Sequence, residues 1–184
     1  VGTPREPLSV TTIVGVLAAS RGLLAEAARV VAADIAPIAL ASEPAEWTAS
    51  GYYRTEMGDE IWRQFLSLDE CRAPGELAAL KLRTNRLEDR WRTPHGRRVN
   101  LDPGYVDLLR LVLASTKDAA QRVYLGSGIY AEAALRYANG RFEPWPYTYP
   151  DYAAAPAIEF FNRVRERLRE SRRSETRPPD RRAG

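Results

Sequence analysis

Apolar positions along the chain follow two periods, and the switches between them mark the elements. Ser9 to Ala19 (SVTTIVGVLAA) is a β-branched, apolar run, which predicts a central strand covered on both faces. Ser20 is placed to cap the next helix, where Leu23, Leu24, Ala27, Ala28, Val31 and Ile35 recur at helical spacing until Pro37 ends it. Ile38 to Glu43 reads as a second strand, and the aromatic segment Trp47 to Met57 runs on to a turn at Gly58-Asp59. In IWRQFLSL, the residues Ile61, Trp62, Phe65 and Leu66 suit a helix face, while Trp62, Leu66 and Leu68 suit a strand face; a strand pairing back through the turn is the preferred reading. Pro74 opens a second helix with Leu77, Leu80, Leu87 and Trp91 as its buried stripe, and Lys81, Asn85 and Glu88 form a row that is read first as a solvated face. With Arg98 to Leu101 as a short strand, residues 9–101 read β-α-β-β-α-β, the order of a ferredoxin-like split βαβ unit.

Beyond that unit, Asp102-Pro103-Gly104-Tyr105 predicts a turn, since proline sets φ and glycine allows it to be positive. Leu108 to Ala114 is apolar enough for a buried strand or a short helix. Val123–Leu125, Ile129–Tyr137 and Arg141–Trp145 read as strands, the last two joined by the hairpin signal Asn139-Gly140. The run Trp145 to Tyr152 holds too much proline for an interior strand and reads as an ordered loop before a last helix from Pro156. The expected fold class is therefore α+β: one domain over 9–170 with a mixed or antiparallel sheet, its N-terminal half ferredoxin-like, followed by β-hairpins and a C-terminal helix. Residues 1–8 form an N-terminal extension, and 171–184 a disordered basic tail.

Charge changes this picture only at one end. The net charge of +3 resides in Ser171 to Gly184, which carries five arginines against Glu175 and Asp180, so the body is balanced and its basic pI is weak support for a nucleic-acid-binding fold. No apolar run approaches the roughly 20 residues that span a bilayer, and VGTPREPLSV lacks the layout of a secretory signal, so a cytoplasmic protein is expected. One cysteine, Cys71, excludes an internal disulfide, and one histidine, His95, in the loop TPHGRR excludes zinc chemistry built on imidazoles. Only Lys81 and Lys117 are lysine among 27 basic residues, which draws attention to both as places that want a compact ammonium.

Candidate chemistry concentrates between Asn100 and Glu132, where polar residues sit at the ends of apolar segments, the usual place for ligands in open α/β sheets. Asp102, Lys117, Asp118 and Glu132 are the candidates for chemistry. Lys81, Asn85, Asn100, Tyr105, Thr116, Arg122, Tyr130, Tyr149 and Asp151 are the candidates for ligand contact. On a strand from Ile129, Tyr130 and Glu132 share one face.

The segments YYRTEMG, VNLDPGY, LVLASTKD, RVYLGSGIYAE and TYPDY resemble, together and over nearly the whole chain, the prokaryotic family termed domain of unknown function 4416. Members are sometimes labelled GTP-binding, and the resemblance implies no firmer activity. The chain departs from the family pattern at Ala119, Ala120 and Gln121, where an aromatic residue and a histidine are expected before Arg122. No G-x-x-x-x-G-K-[ST] segment is present, and Lys117 and Asp118 are adjacent rather than one residue apart, so P-loop GTPase activity is excluded, though binding of a nucleotide is not.

Three readings remain. The leading one is a site for a small anionic or phosphorylated ligand, with Lys117, Arg122 and Lys81 neutralising the anion and Asp102, Asp118 or Glu132 acting as general base or holding magnesium. The second is an RNA-binding module built on a ferredoxin-like sheet with exposed aromatics and an arginine-rich tail. The third is a structural protein in which the same mixed-sign groups are ion-pair networks.

Overall fold

The computed structural model describes residues 2–48 and 54–175. In chain order the elements are β1 (Val10–Ala18), α1 (Arg21–Asp34), β2 (Ile38–Ala41), β3 (Ala45–Glu46), α2 (Arg54–Met57), β4 (Trp62–Arg72), α3 (Leu77–Glu88), β5 (Arg92–Thr93) and β6 (Gly96–Arg97). They continue with β7 (Val99–Val106), β8 (Arg110–Ser115), β9 (Val123–Gly126), β10 (Ile129–Ala138), β11 (Arg141–Pro144), α4 (Pro150–Ala153) and α5 (Ala155–Glu175). The fold is α+β. One large sheet runs β11-β10-β8-β7-β1-β4-β2, with β3 on β4 and β9 on β10. Every pairing among the described residues is antiparallel.

β1 is buried along its whole length because both faces are covered. Val14, Val16 and Ala18 meet Leu24, Ala27 and Val31 of α1 and Leu80 and Leu87 of α3 on one side. Ile13 looks the other way, into a cluster with Phe65, Tyr152 and the residues Phe160, Phe161 and Val164 of α5. Ser20 starts α1 as its cap, its Oγ accepting the Leu23 N–H at 3.2 Å. Asn139 and Gly140 both have positive φ, as a tight two-residue hairpin requires, and join β10 to β11.

IWRQFLSL is a strand, and β3 pairs back on it, Ala45 opposite Arg63 and Glu46 opposite Trp62. Other expectations are corrected. The segment Trp47–Met57, read as running on to a turn at Gly58-Asp59, holds a helical turn at Arg54–Met57, while residues 49–53 lie outside the described residues. The proline-rich run ends in a second helical turn, α4, which sends the side chain of Tyr152 into the core. Helix α5 continues past residue 170 to Glu175, where Arg172 donates to the Ser9 carbonyl at 2.5 Å; the remaining tail, 176–184, lies outside the described residues.

The turn expected at Asp102–Tyr105 is instead the middle of β7, which runs unbroken from Val99 to Val106. Both punctuating residues have another use here. Gly104 faces the carbonyl of Val112 so closely that a Cβ would collide with that backbone oxygen. Pro103, opposite Val14 of β1, lacks an N–H at the point where β7 loses its partner on the other edge. The β7–β8 ladder contains only Gly104–Leu113, Tyr105–Val112 and Val106–Leu111. Beyond Leu113, β8 stays on β10, with Ala114 opposite Ala131 and Ser115 opposite Tyr130, while Val99 to Pro103 stay on β1. The sheet therefore opens between β7 and β8.

A strand that loses its neighbour exposes backbone donors and acceptors that need other partners when buried. At Leu101 these come from α3: Glu88 Oε1 accepts the Leu101 N–H at 2.8 Å, and Lys81 Nζ donates to the Leu101 carbonyl at 2.8 Å. The row Lys81, Asn85, Glu88 is thus not a solvated face. Lys81 and Glu88 are buried, 5% and 6% exposed, because they stand in for the departed strand.

Candidate functional site

Where β7 and β8 part, a cavity of about 450 Å³ forms. Its walls are Asn100 and Asp102 on β7, Leu113 to Lys117 at the end of β8, Glu132 on β10, and Lys81, Asn85 and Glu88 on α3. Register explains the first group: Asn100 lies opposite Leu17 and Asp102 opposite Gly15, so both project from the same face of the sheet. Gly15 has to be glycine there, since a Cβ would run into the hydroxyl of Tyr152 and lie 2.9 Å from Arg63 Nη1, and both of those residues also line the cavity.

Of the residues singled out from the sequence, Lys81, Asn85, Asn100, Asp102, Thr116, Lys117, Arg122, Glu132, Tyr149 and Asp151 are brought together around this cavity. Tyr105, Tyr130 and Asp118 do not line it. Tyr105 packs with Leu77 and Val112 on the α3 side of the sheet, Tyr130 lies against the Tyr124 ring at 5.2 Å, and Asp118 is exposed. His95 is exposed, its N–H directed to Thr93 Oγ1.

Arg63, Arg97 and Arg92 also line the cavity and were not among the sequence candidates. Arg63 carried a signal: it is a charge within an apolar strand, and a buried charge is more informative than an exposed one. Its guanidinium lies 2.6 Å from Asp151 Oδ2 and 3.4 Å from Asp102 Oδ2, and over the ring of Tyr152 at 5.3 Å. Arg97 bridges Glu56 and Glu88, at 3.1 and 3.0 Å.

One wall is saturated internally. The five N–H donors of Arg122 all have acceptors: Glu132 Oε2 at 3.1 Å and Oε1 at 3.2 Å, Ser115 Oγ at 2.9 Å, the Lys117 carbonyl at 2.8 Å and Tyr149 Oη at 3.0 Å. Burial alone would weaken its charge, but the hydrogen bonds to Glu132 and Tyr149 hold its pKa above the ordinary arginine value. Glu132 takes a further bond from Gln121 at 3.0 Å. Arg122 and Glu132, expected to meet an anion and to act as base or metal ligand, are thus bound to each other and fix the 115–122 loop. Among the described residues no three His, Cys, Asp or Glu side chains group as metal ligands would.

Asp102 and Glu88 are driven apart. Burial would raise the pKa of Asp102, but the charges of Lys81 and Arg63, then the Asn100 amide and Arg97, outweigh it and hold the carboxyl below the ordinary aspartate range. For Glu88 burial wins: despite Lys81, the Leu101 N–H and Arg97, and with Asp102 opposing its ionisation, its pKa is raised. A carboxyl with a raised folded-state pKa binds protons more tightly in the folded than in the unfolded chain, so it favours folding below its ordinary value and that contribution is lost as pH rises through the folded value. Wild type should therefore gain stability relative to Glu88→Gln as pH is lowered from 7 towards the ordinary glutamate value of 4.5. Urea melts of both proteins across that range measure it, and parallel curves would contradict the assignment. Asp102 has the opposite sign, its contribution being lost only as pH falls below the ordinary aspartate range.

Among the described residues no helix is long and apolar enough to cross a membrane. The family model described as Domain of unknown function (DUF4416) matches residues 8–168. No curated protein and no solved structure matches the chain. With that match covering the strands and helices that build the cavity, the chain belongs to the DUF4416 family.

Proposed function

We propose that the cavity between β7 and β8 binds a small anionic ligand. The observation that carries the reading is the charge of its lining: six cationic side chains, Arg63, Lys81, Arg92, Arg97, Lys117 and Arg122, against four carboxylates, Glu88, Asp102, Glu132 and Asp151. A volume near 450 Å³ is within the range of small-molecule sites. The buried cations are engaged with the protein, so the ligand's charge is met at the mouth. Lys117 and Arg92 are exposed there, and among the described residues Arg92 pairs with the exposed Asp89 at 2.9 Å, a pair too solvated to resist exchange for a ligand. Asp102, held below its ordinary pKa, makes a weak base at neutral pH, so its part in the site is to bind rather than to take a proton.

The order β7-β1-β4-β2, all antiparallel, with α1 and α3 packed in one core cluster, supports reading the N-terminal half as a ferredoxin-like unit. On that reading the cavity lies where the unit meets its hairpin extension.

Thermal melts of the full chain against phosphate, pyrophosphate, phosphorylated sugars and dicarboxylates, with and without magnesium, test the proposal, since a ligand of the native state raises the midpoint by mass action. At least one anion should raise it, and none doing so at millimolar concentration would overturn the reading. Lys117→Ala should stay within about 1 kcal/mol of wild-type stability, as exposed positions do, yet it should reduce the ligand-induced shift.

A further inference from the structure

We propose that the ligand of this cavity is a phosphorylated polyol, with its phosphate at the mouth beside Lys117 and Arg92 and neighbouring hydroxyls on the floor against Asp102 and Asn100. The inference rests on the anion-site reading and adds what the far end of the ligand must be.

The floor sets the requirement. Asp102 is held ionised, and an ionised carboxylate accepts hydrogen bonds without donating any. Its nearest fixed cation, Arg63, stands 3.4 Å away, long for a charge-assisted bond, because Arg63 makes its short contact of 2.6 Å with Asp151 instead. The Asp102 side chain keeps 25% of its surface open and lines the cavity, so acceptor capacity faces the space a ligand would occupy. Beside it Asn100 is 2% exposed; its amide helps to lower the Asp102 pKa, yet the buried Nδ2, which carries two N–H donors, makes no hydrogen bond of good geometry and keeps donor capacity to spare. A desolvated donor in that state calls for an acceptor.

A carboxylate takes hydrogen bonds from charged donors, an ammonium or a guanidinium, or from neutral ones, an amide-type N–H or a hydroxyl, and of these the hydroxyl is the one that can also accept. An ammonium placed on Asp102 would enter the field of Lys81, Arg63 and Arg97, the same charges that depress its pKa, and would be repelled. A hydroxyl brings the donor without the charge. It also offers an oxygen lone pair to Asn100 Nδ2, so one hydroxyl satisfies both floor groups, and a vicinal second one reaches the other carboxylate oxygen. At the mouth the Thr116 hydroxyl, Lys117 and Arg92 suit a phosphate monoester, which carries a charge of about −1.5 to −2 near neutral pH.

Titration calorimetry on the full chain tests this with inorganic phosphate and two matched pairs, ribose 5-phosphate with 2-deoxyribose 5-phosphate, and glycerol 3-phosphate with propyl phosphate. The hydroxylated member of at least one pair should bind about tenfold tighter than its deoxygenated counterpart, the factor expected from one hydrogen bond to a charged group. Asp102→Asn should erase that preference, whereas Lys117→Ala should weaken both members of the pair alike. Equal affinity within both pairs in the wild-type protein overturns the polyol assignment while leaving the anion site standing. Failure of all five compounds to bind overturns both. Because the comparison within each pair is made on wild type, the test stands even if a variant does not fold.

Discussion

Replacing Arg122 by methionine is expected to remove about 3–5 kcal/mol of stability, the cost of stranding a buried charge whose partner has been taken away. The side chains of Arg122 and Glu132 are each 5% exposed, and the substitution leaves Glu132 with Gln121 alone. It also releases Ser115, the Lys117 carbonyl and Tyr149 from their common donor, so the loop that forms the mouth loses its anchor along with the ion pair. Since a domain is typically stable by only about 5–15 kcal/mol, the loss should be plain in a chemical denaturation curve. The double variant Arg122→Met, Glu132→Leu separates the two contributions. With the stranded carboxylate gone it should recover most of the lost stability, because apolar replacements of a buried pair are often neutral or better. It should not recover ligand-induced stabilisation, because the loop remains unanchored. A single variant within about 1 kcal/mol of wild type would show that water reaches Glu132 and that the pair is not buried in solution.

That pair also shows where sequence reasoning succeeds and where it stops. Lys117, Arg122 and Glu132 could be picked out as polar residues at the ends of apolar segments and Tyr149 from the proline-rich aromatic run, and they do meet. Their roles could not be, because whether an arginine faces a ligand or a carboxylate depends on loop geometry that spacing does not carry. Local signals were legible wherever the cause was local: the Ser20 cap, the Asn139-Gly140 hairpin and the β-branched run of β1. Pro103-Gly104 misleads for a long-range reason. The two residues that ordinarily punctuate a turn sit mid-strand because the neighbouring strand leaves at one and crowds the other. Lys81 and Glu88 mislead for the same reason: a helical row of charges looks solvated until the strand it faces turns out to have an open edge. Arg63 is the residue that could have been found from the sequence, as the single cation inside IWRQFLSL.

Lys81 should be the second costly position. Lys81→Met keeps most of the apolar stem but takes the donor from the Leu101 carbonyl and removes a cation lying 4.0 Å from Glu88 Oε1 and close enough to Asp102 to lower its pKa. An orphaned buried carbonyl costs about 1–3 kcal/mol, and a buried carboxylate losing a cation adds to it, so a total of about 3–5 kcal/mol is expected. The effect should be local as well as global. Amide exchange at Leu101 should accelerate, because the Glu88 acceptor loses the lysine that helps to keep it charged in place. Exchange in the Gly104–Leu113 segment of the ladder should follow only the global loss. Combining Lys81→Met with Glu88→Gln should cost less than the two single losses added together, since the two side chains pair with each other at 4.0 Å and serve the carbonyl and the N–H of one residue, Leu101. Strict additivity would mean that the two side chains act independently, and the view that they jointly replace the missing strand would then be wrong.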